Sequence, residues 1–287
     1  MKKIIAVKEF IQEMIAVWGN ERPARLSAAL AYYGMFALAP MLFIALTVAG
    51  IFVDTLAMSN QIFMRLTQTL GPETAEFIHS MVVSASERVV SGSLVSTLIS
   101  LGALLYASTG LFAHLKYSLN AIWHVPMERQ LGMMHYVKTR LLAFVLVLGI
   151  ALILVAVTFF SVFASVLTTF FNFSGQIVAG NAIIFVLVLA VSFATLYRIL
   201  PDEDVLWRDV WLAALITAFV FGIGRWGIGI YFSYSSVTSA FEAAGALAIL
   251  LIGIYYAAQV FLLGAIFSRI YATRYGSKVG QTFGENL

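Results

Sequence analysis

Residues 141–197 run for 57 positions without one Asp, Glu, Lys or Arg. A bilayer core of about 30 Å is crossed by roughly 20 apolar helical residues. The run is too long for one crossing and fits two, with Asn172 and Gly175 as breakers in a turn over 171–176. Hydrophobic residues make up 61% of the 287 and charged residues 11%, against about 45–50% and 25% in a soluble domain. A soluble fold would have too thin a polar coat for that much apolar surface. With Cys at zero and only 5 Pro, disulfide-rich and collagen-like classes are also excluded, and a multi-span membrane protein is what remains.

Charge-free runs place the other spans. Residues 26–53 form one, 89–115 a second, 210–241 a third broken only by Arg225, and 243–268 a fourth. The expected fold is all-α: one polytopic membrane domain of six transmembrane helices near 26–53, 92–122, 141–170, 176–199, 209–232 and 242–270. These are continuous apolar runs without period-two alternation, which argues against a β-barrel.

Lys and Arg in the short connections set the orientation. Residues 2–25, the connection between spans two and three, that between spans four and five, and the tail together hold 14 of the 17 basic residues. Arg65 and Arg88 fall on the other side and Arg225 inside a span. Both termini, including the tail 271–287, are therefore expected in the cytoplasm. Residues 1–25 carry Glu9, Gln12 and Glu13 where a signal peptide needs an apolar core. Ile4, Val7, Ile11, Met14 and Trp18 recur at helical spacing. They predict an amphipathic helix, either lying on the membrane surface or packed on the loops.

Residues 54–91 are too long for a bare loop. Phe63, Leu66 and Leu70 make one stripe, and Phe77, Ile78, Met81, Val82 and Ala85 a second. Gly71-Pro72 separates them and starts the second helix. An outer amphipathic helical cap is expected, serving as a lid or interfacial anchor, or in gating or partner docking.

Several chemistries lack their residues. His79, His114, His124 and His135 form no ligand pair, and Asp202-Glu203-Asp204 reads as a solvated acidic loop before a helix N-terminus. No metal site, cofactor or catalytic residue is expected. No phosphate-binding Gly-rich loop, Ser-His-Asp set or basic aromatic RNA surface occurs, so nucleic acid is not an expected partner. No carboxylate sits at a span midpoint, which argues against simple proton coupling.

The remaining candidates are polar groups inside spans. Pro40 is expected to kink span one. Tyr32, Tyr33, Tyr255 and Tyr256 lie near span centres, either packed or lining a cavity. His114 and Gln259 either complete interhelical hydrogen bonds or bind a ligand. Lys116 is read as snorkelling to the interface, with Asn120 and Trp123 as interfacial anchors. Ala214, Ala218 and Gly222, and Ala240, Ala244 and Ala248, form small-residue seams for close helix contact, between spans five and six or between two copies. Arg225 lies 16 residues beyond Asp209, about 24 Å into the core. Three solutions are open to it: snorkelling outward, pairing with Glu242, or holding an anion, with Gly222, Gly224, Gly227 and Gly229 leaving space for a headgroup.

Four motifs in order carry a family resemblance. They are Ser27-Ala28-Ala29-Leu30-Ala31-Tyr32-Tyr33 with Phe36-Ala37-Leu38-Ala39-Pro40; Ala107-Ser108-Thr109-Gly110 with Leu119-Asn120-Ala121-Ile122-Trp123; Trp207-Arg208-Asp209-Val210-Trp211 with Phe221-Gly222-Ile223-Gly224-Arg225-Trp226; and Ala243-Ala244-Gly245 through Tyr255-Tyr256-Ala257-Ala258-Gln259 to Leu263-Gly264-Ala265. The chain resembles the BrkB/YihY family of bacterial inner-membrane proteins. It departs from the pattern at Ala37, where Ser is usual, at Glu242 and Gly253, and at Ile266, where a Glu is frequent. The resemblance implies a helical inner-membrane fold. The labels attached to that family range over serum-resistance or virulence factor, transporter and ribonuclease BN. The expected function is transporter-like, or the handling of lipids or amphipathic anions; the alternative is a non-transporting scaffold for an envelope assembly. Membrane lipids are the expected partners, with a homo-oligomer or an envelope protein as further ones.

Overall fold

The computed structural model describes residues 2–49, 63, 64, 66, 67, 71–90, 94–126, 137, 138, 141, 142, 145, 149, 176–234 and 243–279. Among the described residues every regular element is a helix: α1 (Lys2–Glu21), α2 (Pro23–Ala49), α3 (Pro72–Val90), α4 (Leu94–Ile122), α5 (Gln176–Ile199), α6 (Trp207–Tyr234) and α7 (Ala243–Arg274). Helices thus occupy the first, second, fourth, fifth and sixth expected spans. The third lies outside the described residues except at positions 141, 142, 145 and 149, which are helical. The connection at 54–62 and the turn at 171–175 also lie outside them.

Local chemistry sets the helix ends. Arg22 takes a φ of 48° between α1 and α2, and Pro23 opens α2, where a missing N–H costs nothing. Gly71 adopts a φ of 87° before Pro72, the break expected from that dipeptide. α4 closes with Val125 N donating to Asn120 O at 2.9 Å and His124 N to Ala121 O at 3.1 Å. This pairing leaves a left-handed residue at the turn, a position usually given to Gly. Here it is His124, at φ 51°.

α5 packs on α6, α6 on α7, α7 on α2 and α2 on α4, while α3 rests on α2, α4 and α7. In α3, Ile78 of the expected stripe is buried together with Ala75, which the stripe does not include, while Phe77, Met81 and Val82 are half-buried. α1 packs on α7, with the rings of Phe10 and Phe267 5.0 Å apart. Phe10, Met14, Val17 and Trp18 turn toward the core, whereas Ile11 and Ile15 are exposed.

α6 packs through small residues, while α2, α4, α5 and α7 also bury large ones such as Leu30, Leu119, Tyr197 and Leu262. Ala213, Ala214, Thr217 and Ala218 are buried, and Trp211, Leu212, Leu215, Ile216 and Phe219 are exposed. Small residues face the neighbours and large apolar ones face outward, the reverse of a water-soluble helix. This suits surroundings as apolar as the core, where backbone proximity drives association. Among the described residues, the stretches Trp207–Gly224 and Gly245–Arg274 are long and apolar enough to cross a membrane, at mean hydropathies of 1.4 and 2.2.

Close approach is visible at two glycines. A Cβ on Gly264 would lie 1.9 Å from Thr217 Oγ1 and 2.3 Å from the Tyr197 hydroxyl. A Cβ on Gly224 would lie 1.7 Å from the Tyr256 hydroxyl, which donates to Val220 O at 3.1 Å. The space beside Gly224 is therefore filled by Tyr256 and holds no headgroup.

Candidate functional site

Two features concentrate the polar and aromatic chemistry: a charged cluster at one end of the bundle and an aromatic groove at mid-depth.

The end of α1, the end of α4, the α5–α6 connection and the end of α7 converge. Lys116 Nζ lies 2.8 Å from Asp202 Oδ1, with the lysine side chain only 4% exposed. One turn on, Asn120 Nδ2 donates to Asp202 Oδ2 at 2.9 Å, and Asp202 N donates to Asn120 Oδ1 at 2.8 Å. Lys278 Nζ pairs with Glu203 at 2.6 Å. The acidic segment is thus a docked strap and not a solvated loop. Lys116 does not snorkel, because a carboxylate reaches it inside the bundle. Asn120 and Trp123 are buried: Asn120 is a hydrogen-bonding brace for Asp202 and Trp123 a packing residue, and neither is an interfacial anchor.

Arg269 is nearly buried, and Nη1 donates to Ile122 O at 2.7 Å and to Glu21 Oε1 at 3.4 Å. His124, the left-handed residue at the end of α4, meets both Glu21 and Arg269. Arg274 Nε reaches Glu13 at 2.5 Å. Asp209 is fully buried in the first turn of α6, accepting from Ser277 N at 3.2 Å and from Ser277 Oγ. Near this end Trp207 and Trp211 are exposed, and the Arg198 guanidinium lies 4.6 Å from the Trp207 ring centre. Tryptophan with a flanking cation marks the level of a membrane interface.

The groove runs between α2 and α4. It encloses about 420 Å³ and is lined by Tyr32, Tyr33, Phe36, Tyr106, Gly110, Ala113 and His114. Tyr32, Tyr33 and Phe36 stack edge to face, with ring centres 5.6 and 5.0 Å apart from Tyr32. Tyr33 lies 5.0 Å from the His114 ring, and Tyr117 stacks on His114 at 5.6 Å. Tyr106 is 63% exposed, so the groove opens on the outside of the bundle. Among the described residues the buried Nε2 of His114 has no hydrogen-bond partner.

Three of the sequence candidates, Tyr32, Tyr33 and His114, therefore share one groove. Gln259 is half-buried on α7, away from its lining. Pro40 lies inside α2 with its side chain outside the described residues, as does the side chain of Arg225 in α6. Glu242 lies outside the described residues altogether. Sequence reading missed Tyr106, whose place opposite Tyr32 depends on how α2 and α4 pair. It also missed Tyr197, which is fully buried and donates to Phe261 O at 2.7 Å beside Thr217 at 3.2 Å. Among the described residues no group of His, Asp and Glu is arranged to hold a metal.

An all-helical bundle that turns large apolar side chains such as Trp211, Leu215 and Phe219 outward and encloses a cluster of paired charges at one end has the character of an integral membrane protein. The family model described as "Virulence factor BrkB" matches residues 14–283, and the chain belongs to that family. It is similar to a UPF0761 membrane protein of Kangiella koreensis, 26% identical over 91% of this chain and 63% of that protein. A UPF0761 membrane protein of Ralstonia nicotianae is 35% identical over 52% of this chain and 33% of its own length. One of Aeromonas salmonicida is 23% identical over 87% and 85%. The chain spans less than two-thirds of the length of the first two relatives. No solved structure matches it.

Proposed function

We propose that the chain is a six-span protein of the bacterial plasma (inner) membrane, with both termini in the cytoplasm and residues 54–91 as an outer helical cap. It handles an amphipathic lipid or anion without catalysing a reaction on it. The groove between α2 and α4 carries this reading. Tyrosine offers an apolar ring and a polar edge together, a surface suited to a molecule with an apolar body and a polar end. The groove opens outward, where the lipid is. Helices α2, α4 and α5 hold 27, 29 and 24 residues, or about 36–44 Å of helix against a 30 Å core. The basic residues that bias orientation collect at the charged end.

Reconstitution into liposomes with a panel of labelled lipids and amphipathic anions tests the proposal. Wild-type protein is expected to accelerate transbilayer movement of one class. The pair Tyr33→Ala with His114→Ala is expected to slow it, and Arg225→Ala reports whether that residue contributes. Wild-type vesicles no faster than empty ones across the panel would overturn the transport reading and favour an envelope scaffold.

A further inference from the structure

The groove has a charged approach that its lining does not include. Arg25 stands on α2 seven residues before Tyr32 and eleven before Phe36. At 100° per residue these offsets return to within about 20° of the same face. The three side chains therefore follow one line along the helix, and all three are exposed. Between Arg25 and Tyr32 the line crosses Ala28, exposed, and Ala29, half-buried, which leave a shallow trough. Arg22, also exposed, stands just before α2. Among the described residues no carboxylate pairs with Arg22 or Arg25, although Arg269 and Arg274 nearby both have acidic partners.

Distance decides what such a line fits. Arg25 to Phe36 spans about 16 Å of helix. One leaflet of a 30 Å core is about 15 Å deep. The arginines sit at the end marked by Trp207 and Trp211, where headgroups lie, and the aromatic groove sits one leaflet deeper.

We propose that this face of α2 is the seat of an anionic phospholipid from the cytoplasmic leaflet. Its phosphate sits on Arg22 and Arg25, and an acyl chain runs over Ala28 and Ala29 into the aromatic groove. Arginine suits this role because its planar fork binds phosphate oxygens in a bidentate manner, and each basic group near an anionic surface favours association by about fivefold. The inference rests on the groove being a lipid site and adds the headgroup class and the leaflet.

The test uses purified full-length protein in detergent. The probes are phosphatidylglycerol and phosphatidylcholine carrying the same photoactivatable acyl chain, with adducts mapped by mass spectrometry. The expected result is adducts on α2 and α4, at about ten- to thirtyfold lower concentration for phosphatidylglycerol. That preference should fall about fivefold in Arg25→Gln, nearly vanish in Arg22→Gln with Arg25→Gln, and survive in Arg208→Gln, which removes an exposed charge from α6. Equal capture of both lipids in the groove, indifferent to the arginines, would overturn the headgroup assignment and leave the groove standing. An equal loss in Arg208→Gln would reduce the effect to overall charge and overturn it too. No adduct of either lipid on α2 or α4 would overturn the groove reading with it.

Discussion

Lys116 and Asp202 meet at 2.8 Å, the lysine side chain almost wholly enclosed between helices. This contact ties the end of α4 to the connection between α5 and α6, and Asn120 braces it with two further hydrogen bonds. Removing one partner of an enclosed ion pair leaves the other uncompensated, at a cost of about 3–5 kcal/mol when both are fully buried. Asp202 is about one-fifth exposed, so a smaller loss is expected for Lys116→Ala, about 2 kcal/mol. Thermal unfolding in detergent would show it as a lowered midpoint. Lys116→Met combined with Asp202→Asn, which keeps a side-chain oxygen for Asn120 Nδ2, should recover part of the loss, and an unchanged midpoint in Lys116→Ala would contradict the assignment.

The hydroxyls of Thr217 and Tyr197 occupy the space where Gly264 has no side chain. Gly264→Ala should cost about 1–3 kcal/mol by overpacking. Adding Thr217→Ala should return part of that stability, although Thr217→Ala alone forfeits its bond to Ala213 O at 2.7 Å. The non-additivity of this pair, measured as a double-mutant cycle, is the signature of the contact. Strict additivity would argue that α6 and α7 do not meet there.

Glu21 joins α1 to the bundle through His124 and Arg269. Glu21→Gln should leave the bundle folded and raise hydrogen exchange selectively across α1, whose remaining anchors, the Arg274 pairs with Glu9 and Glu13 and the packing of Phe10, Met14, Val17 and Trp18, do not tie other helices together. Exchange rising equally in α5 and α6 would mean that the pair holds the whole end and not one helix.

Single cysteines report orientation cleanly, since the chain has none of its own. Ser84 on α3 and Val279 after α7 are both exposed. A cysteine at Ser84 should react with an impermeant thiol reagent added outside intact cells, and one at Val279 only after lysis. The reverse pattern would invert the proposed topology.

The helices were legible because apolar runs and their breakers are local signals: Gly71-Pro72 opens α3, and among the described residues α2, α4, α5, α6 and α7 fall on the apolar runs. The charged end was not legible. Lys116 looked like a residue reaching for the interface because its partner lies 86 positions away, beyond any local pattern. Asp202 and Glu203 looked solvated because three adjacent carboxylates ordinarily are. Of the glycines around Arg225 that suggest room for a ligand, Gly224 is covered by Tyr256, which arrives from another helix, while Gly222 and Gly227 have nothing within 4 Å of where a Cβ would stand. Tyr32, Tyr33 and His114 were singled out as polar groups at apolar depth, which is a local observation. That they share a groove with Tyr106 follows only from the pairing of α2 with α4.

A lipid seated in the groove should be held more firmly than lipid on the rest of the bilayer-facing surface. Photoreactive benzoyl-phenylalanine placed at Phe36, in the groove, and at Phe219, exposed on α6, allows the comparison within one protein. After extraction from membranes and exchange into detergent, irradiation should yield a lipid adduct at Phe36 and only detergent adducts at Phe219. Equal lipid capture at both positions, or none at either, would contradict a specific lipid site between α2 and α4.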